Sequence, residues 1–247
     1  MLSGCPALNS LTLGYSSGFR QFKINALKLK YVNMYFHGSD ADRLQELIVE
    51  NAPCLETLHH EGPYKDNITI SIISAPKLKI LGRLTDNISR LELGFTVFKG
   101  LPDVRMATVM RTLKVLALRL DKLRLDVVIN FMKCFPCVEK LYIKTPTAGE
   151  NTQRHCSPGR IECFDHHLKK LQISYYSGKR PHAEFAKFFL LLNAGVLESL
   201  VLDASRNNKF GWWIENQRRQ LCPEKKASVG AQIDFTFGDC SSYLRDG

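Results

Sequence analysis

Three groups of residues have the types and spacing to do chemistry. Cys134-x-x-Cys137 has the spacing of a redox pair or of half a metal site. A redox role needs a strand–helix setting, and a structural zinc needs a second ligand pair. Pro136 stands between the two thiols and belongs to a repeat turn, so packed structural cysteines are expected. His155, Cys156, Cys163, His166 and His167 form a looser cluster whose spacing matches no standard zinc module. Trp212-Trp213 beside Arg218-Arg219 has the makings of a base-stacking surface, but an amphipathic helix packing its indoles accounts for the same residues. The sequence carries no glycine-rich phosphate loop, paired-carboxylate motif or nucleophile elbow. The expectation is a binding protein: no catalytic residue, no metal and no cofactor.

The elements that position these residues follow a recurring frame. In segment 112–144, Leu113-x-x-Leu116-x-Leu118 returns as Val138-x-x-Leu141-x-Ile143. Between the two, Val127, Val128, Phe131 and Met132 recur at helical spacing. Strand, helix and strand in about 25 residues is the length of a leucine-rich repeat unit. One unit cannot bury its own apolar face and needs a neighbour on each side. The frame starts at positions 8, 24, 55, 78, 88, 113, 138, 168 and 197. The later gaps are 25, 25, 30 and 29 residues, while the early ones are irregular at 16, 31, 23 and 10. His60 and Arg83 stand in the third apolar slot of the units starting at 55 and 78, and His60 is expected to reach solvent at a strand end. Pro6, Pro53, Pro76 and Pro136 each stand two residues before a frame, where a residue that cannot continue a helix separates elements well.

The spacing predicts a helix over 40–51, with Leu44, Leu47 and Ile48 on one face and Ser39 and Asp42 as a capping box. A second helix is predicted over 126–134 with Asp126 as its N-cap. A third covers 181–193, with Phe185, Phe188, Phe189 and Leu192 inward, and a fourth covers 212–221. Residues 68–72 and 232–237 alternate as strands, and 145–160 is a loop. The fold class is α/β: a leucine-rich-repeat solenoid with a curved, mainly parallel sheet and helices and loops on its outer face.

The chain has 247 residues and a net charge of +10. Residues 1–100 hold 11 basic and 9 acidic residues, 101–159 hold 10 and 5, and 160–247 hold 13 and 10, so the excess is greatest in the middle. That tilts expectation toward acidic partners without the dense basic footprint of a nucleic-acid domain. Eight cysteines in a chain of this length, with no signal-peptide pattern, suggest a reduced, intracellular setting, cytoplasmic or nuclear. Segment 185–192 is too short to cross a bilayer, and no membrane partner is expected.

From Ile161 onward, Cys163-Phe164-Asp165-His166-His167-Leu168, Tyr175-Tyr176-Ser177-Gly178, Phe185-Ala186-Lys187-Phe188-Phe189-Leu190, Asn193-Ala194-Gly195-Val196-Leu197-Glu198, Trp213, Gln217 and Leu221 occur in a distinctive order. This resembles the FBD region that closes many plant F-box/leucine-rich-repeat proteins, and segment 126–137 resembles their repeats. The resemblance implies irregular repeats over 1–145, a loop over 146–160 and an FBD-like cap over 161–247. It also implies the target-holding part of a substrate receptor of an SCF-type ubiquitin ligase. The chain opens inside a repeat at Cys5-Pro6-x-Leu8 with no F-box pattern before it, so Skp adaptor binding is not expected of these residues.

In the frame, the first, fourth and sixth positions are core. The third, fifth and seventh face the other side of the sheet. Arg119, Lys140, Tyr142, Lys144, Lys170, Gln172 and Ser174 hold those positions in later units, with Lys28, Lys30, Arg90 and Glu92 as their earlier equivalents. A basic face of this kind suits an acidic or phosphorylated segment of a target protein. A plain solvated sheet face accounts for the same lysines, which also discourage edge pairing. Nucleic acid, or another polyanion, is the alternative partner.

Overall fold

A proline two residues before a leucine sets the repeat. The Leu8 N–H bonds to the Cys5 carbonyl, Leu55 to Ala52, Leu78 to Ala75 and Val138 to Phe135, at 3.0–3.3 Å. Each is a four-residue turn with Pro6, Pro53, Pro76 or Pro136 at its second position, where a fixed φ suits the reversal. Leu55, Leu78 and Val138, which end their turns, drop into the core, Leu8 is half-buried, and in each case the strand follows. The computed structural model describes residues 5–14, 19–35, 44–62, 68–85, 90–94, 96–99, 103–105, 109–145, 161–193, 195–204, 211–221, 228 and 230–237. The chain divides into two compact units, Met1–Leu116 and Ala117–Gly247.

In the first unit, successive strands alternate between two sheets. β1 (Ser10–Gly14), β3 (Tyr31–Tyr35), β5 (Thr57–Glu61) and β7 (Ile80–Thr85) form one parallel row. β2 (Gln21–Asn25), β4 (Glu46–Asn51), β6 (Thr69–Ile72) and β8 (Arg90–Leu93) form a second, which the antiparallel β9 (Thr96–Lys99) and β10 (Asp103–Arg105) extend. Registers stack like residues: Leu11, Val32, Leu58 and Leu81 in the first row, and Ile24, Val49, Ile72 and Leu93 in the second.

Four expectations are corrected in this unit. The helix over 40–51 is β4 where it is described, and residues 40–43 lie outside the described set. Leu47 and Val49 are buried on alternate positions and sit in register between Phe22 and Ile24 on one side and Ile70 and Ile72 on the other. Tertiary pairing overrides a local helical spacing. Second, the frame at 24 is a coincidence of spacing. Ile24 belongs to β2, and Leu27 and Lys28 form the turn before Leu29, closed by the Leu29 N–H on the Ala26 carbonyl. Leu27 takes the proline's place and is 62% exposed, and the true frame is Leu29-x-x-Val32-x-Met34. Third, the frame at 88 also belongs to the second row. With both removed, the early starts are 8, 29, 55 and 78, and the gaps become 21, 26 and 23.

Fourth, His60 does not reach solvent. It is fully buried, opposite Met34 in the inner column of the sheet. The inward slot dictates burial regardless of residue type, and His59 is the neighbour that faces outward. At the degenerate slot, Arg83 has φ +61°. This local twist puts Arg83 beside Glu61 and hands the inner position to Leu84, which is fully buried.

In the second unit, helical chain follows each of the first four strands. The parallel order is β11 (Val115–Arg119), β12 (Lys140–Lys144), β13 (Lys170–Ser174), β14 (Ser199–Asp203) and β15 (Gln232–Thr236). α1 (Leu125–Cys134) buries Val127, Val128, Ile129, Phe131 and Met132. Its N-cap is Arg124, not Asp126, and no side chain caps it. Asp126 lies in the first turn, where it pairs with Arg124 at 2.5 Å. Burial alone would raise its carboxyl, but the Arg124 hydrogen bond and charge outweigh that and hold it below its usual range.

A short α2 (Glu162–His166), not expected from the sequence, buries Cys163 and Phe164. The Phe164 ring meets Phe188 and Phe189 edge-on. α3 (Arg180–Lys187) carries Pro181 in its first turn and continues as a π-helical turn, Phe188–Asn193. Phe185, Phe188 and Phe189 are buried as their spacing predicts. The side chain of Leu192 lies outside the described set, as does the expected loop over 146–160. α4 (Gly211–Leu221) packs on α3.

Candidate functional site

The outward face of the second unit is built from three columns running across its strands. The third frame positions are Lys140, Lys170, Ser199 and Gln232. The fifth are Tyr142, Gln172, Val201 and Asp234, and the seventh are Lys144, Ser174, Asp203 and Thr236. Strand alternation places these side chains opposite the fully buried Leu141, Leu171, Leu200, Ile173 and Leu202. Arg119 closes β11 at the same frame position as Lys144 and is half-buried.

The lysines lean over aromatic rings. Lys170 Nζ lies 5.8 Å from the centroid of Tyr142, and Lys144 Nζ lies 5.3 Å from that of Tyr175. Both contacts are within cation–π range. Tyr142, Gln172 and Ser174 are buried, so they form the floor of the face, with half-buried lysines standing on it. Tyr175 reaches this position because its backbone is left-handed, φ +63°, directly after β13. That twist turns the next residue, Tyr176, into the core, where burial pushes its phenol up.

Six of the nine residues singled out from charge and spacing lie in the second unit, and three lie in the first. Lys140, Tyr142, Lys144, Lys170 and Gln172 share one face on β12 and β13, and Arg119 ends β11 of the same unit. Lys28, Lys30 and Arg90 do not join them. Lys28 is in the turn before β3, and Lys30 precedes that strand, with its carbonyl accepting the Glu56 and Thr57 N–H groups. Arg90 opens β8 in the second row, against Glu92, whose carboxylate also accepts the Ser71 hydroxyl at 2.7 Å. Their misplacement follows from the false frames at 24 and 88.

The outward positions of the first unit are instead Tyr31, Asn33 and Tyr35 on β3 and Thr57, His59 and Glu61 on β5. Those on β3 were missed because the false frame at 24 absorbed Leu29 and the true frame ends on methionine. Burial, with the Arg83 charge in second place, lowers the His59 imidazole to about 4. Asp234 was missed because the last frame, Gly230-x-x-Ile233-x-Phe235, opens on glycine.

Of the cysteine and histidine groups, Cys134 and Cys163 are buried, Cys137 and His167 are half-buried and His166 is exposed. Cys134 is the last residue of α1, and Cys137 is the third residue of the turn on Pro136. Burial pushes the Cys134 thiol up to about 11 and the Cys163 thiol up to about 12. The Cys163 thiol donates to the Met132 carbonyl at 3.7 Å. Among the described residues, no three His, Cys, Asp or Glu side chains converge as a metal site; His155 and Cys156 lie outside them. A brief iodoacetamide pulse at pH 8 followed by peptide mass mapping should label the exposed Cys5 and spare Cys134 and Cys163. Prompt labelling of either buried thiol would contradict their packing. Trp213 packs edge-on to Tyr176 and Phe235, whereas Trp212 is 67% exposed.

Parallel strands stacked by a repeating apolar frame, with polar columns opposite the core, define a solenoid-type recognition module of the leucine-rich-repeat class. The family model described as "FBD-associated F-box protein At5g56370, LRR repeats" matches residues 1–143, and the model described as "FBD" matches residues 159–202. The chain belongs to the leucine-rich-repeat family of FBD-associated F-box proteins. Searches of curated proteins and of solved structures each returned no match. Among the described residues, no helix is long and apolar enough to cross a membrane.

Proposed function

We propose that this chain recognises a target protein, and that the outward face of β12 and β13 holds it. The carrying observation is the cluster of Lys140, Lys144 and Lys170 on a floor of Tyr142, Gln172 and Ser174. Three cations on one rigid sheet, two of them against rings, supply steering and charge-assisted hydrogen bonds to an acidic or phosphorylated segment. Protein recognition is also what the family membership supports. In this reading the module works without catalysis or cofactor, as the target-binding part of an SCF-type ubiquitin-ligase receptor. Coupling to a Skp adaptor would belong to an F-box, and no residue described above is assigned to it.

The test is a comparison of affinity-purified partners. Lys140→Glu/Lys144→Glu/Lys170→Glu should lose the proteins that the natural chain enriches, by at least about tenfold, while its circular dichroism is unchanged. Undiminished capture by the triple variant would place the site elsewhere. Polyanion binding through the same lysines is the competing reading, and it requires affinity that falls steeply with salt. The exposed Asp234 on the same face counts against a long polyanion.

A further inference from the structure

The charge on this face changes sign across the sheet. Lys140 and Lys170 stand directly opposite each other on neighbouring strands, and Lys144 is two residues beyond Tyr142 on β12. Like charges placed directly opposite destabilise a sheet pair. Among the described residues none of the three lysines has a carboxylate partner. Two strands on, the fifth position is Asp234, which is exposed and also has no ion-pair partner among the described residues. Between the two charges the fifth-position column holds only Gln172 and Val201, neither of them charged.

Neighbouring strands are about 4.8 Å apart, and alternate residues of one strand about 6.7 Å. Asp234 therefore lies roughly 12 Å from Lys170, and roughly 16 Å from Lys140 and from Lys144, measured between backbones. An extended chain advances about 3.4 Å per residue, so four or five residues bridge that gap.

Resting on the reading that this face holds a target, we propose that its occupant is an extended, bipolar peptide segment. One anionic residue sits over Lys140, Lys144 and Lys170. A basic residue four or five positions away pairs with Asp234. The intervening residues are small or polar and cross Gln172 and Val201. A phosphoserine and an adjacent pair of carboxylates offer the same anionic chemistry, and the phosphate concentrates more charge at one point.

Fluorescence anisotropy on the full chain tests this with labelled ten-residue Gly/Ser peptides. Their arms carry phosphoserine with Arg four residues on, an Asp-Asp pair with Arg at the same spacing, phosphoserine alone, and Arg alone. The bipolar peptides should bind roughly fivefold tighter than phosphoserine alone, the size of one well-formed surface ion pair. Asp234→Lys should erase that advantage and leave phosphoserine-alone binding intact or improved. Lys140→Glu/Lys170→Glu should abolish binding of every anionic peptide. Equal affinity for bipolar and phosphoserine-only peptides, or no response to Asp234→Lys, overturns the bipolar occupant while leaving the lysine face standing. Target capture that survives the lysine reversals overturns the underlying reading instead. Tight heparin binding indifferent to Asp234→Lys, with no peptide bound, marks a polyanion site and overturns both.

Discussion

Gly178→Ala should destabilise the second unit by about 3 kcal/mol, from a single added methyl group. Gly178 has φ +71°, a backbone region where a side chain alone costs about 1 kcal/mol. A Cβ there would also lie 2.8 Å from Gln217 Cδ and Nε2 and 2.8 Å from Trp213 Cζ2. Neither neighbour yields cheaply. Gln217 is buried and accepts the Tyr176 hydroxyl at 2.9 Å, so displacing it orphans a buried phenol. Trp213 is wedged against Tyr176 and Phe235. The methyl would thus push α4 off the sheet end that carries Tyr175 and Tyr176. Urea unfolding followed by tryptophan fluorescence measures the loss. A midpoint within about 0.5 kcal/mol of the natural chain would show that α4 can shift freely. In a Gln217→Ala background the cost should shrink toward strain and the Trp213 clash, because that clash partner and the Tyr176 bond are already gone.

Much of this architecture was legible in the chain because its repeats are local. The frames at 113, 138, 168 and 197 gave β11 to β14 with correct inward residues, since each carries leucine, valine or isoleucine in all three slots. Where the slots hold other residues, spacing alone misled. Leu27 mimicked a core leucine from a turn, and Val32 and Met34 hid a true frame. Segment 40–51 satisfied both periods: Leu44, Leu47 and Ile48 for a helix, and Leu47 and Val49 for a strand. Only the neighbours of β4, invisible to local spacing, decide between them. The alternation of unit-one strands between two sheets was not legible for the same reason.

The candidate site divides along the same line. Lys140, Tyr142, Lys144, Lys170 and Gln172 share the face their frames predict, because a side chain's face follows from its frame parity. Lys28, Lys30 and Arg90 lie elsewhere because their frames were false. Burial of the floor was beyond the sequence: Tyr142 and Gln172 hold outward positions yet are buried, Tyr142 with Lys170 over its ring. Tyr175 became part of the face through a left-handed backbone that no composition announces at a tyrosine.

Acid should loosen the FBD-matched part of the chain well before its carboxylates are all neutral, through His182. This residue is in the first turn of α3 and is 1% exposed. Its Nδ1 accepts the Ser177 N–H at 2.8 Å and lies 3.0 Å from the Ser177 hydroxyl, and its ring stacks on Tyr176 at 5.6 Å. Accepting at Nδ1 requires the neutral ring, and Nε2 is buried with no partner among the described residues. Burial, and then the nearby Lys179 charge, lowers its pKa from 6.5 to about 4. The folded state thus binds the proton less readily than the unfolded chain does. This contribution is complete above about pH 6.5, falls as pH drops toward 4, and is gone below that, for a total of roughly 3 kcal/mol. His59 in the first unit shifts in the same direction, so the comparison must be made against a variant. His182→Gln keeps an acceptor for the Ser177 N–H but does not titrate. It should be less stable than the natural chain at pH 7.5 and should show a shallower decline between pH 6.5 and 4, by up to about 1.4 kcal/mol per pH unit. Identical pH slopes for the two proteins in urea titrations would mean that His182 does not take up the proton that drives the loss.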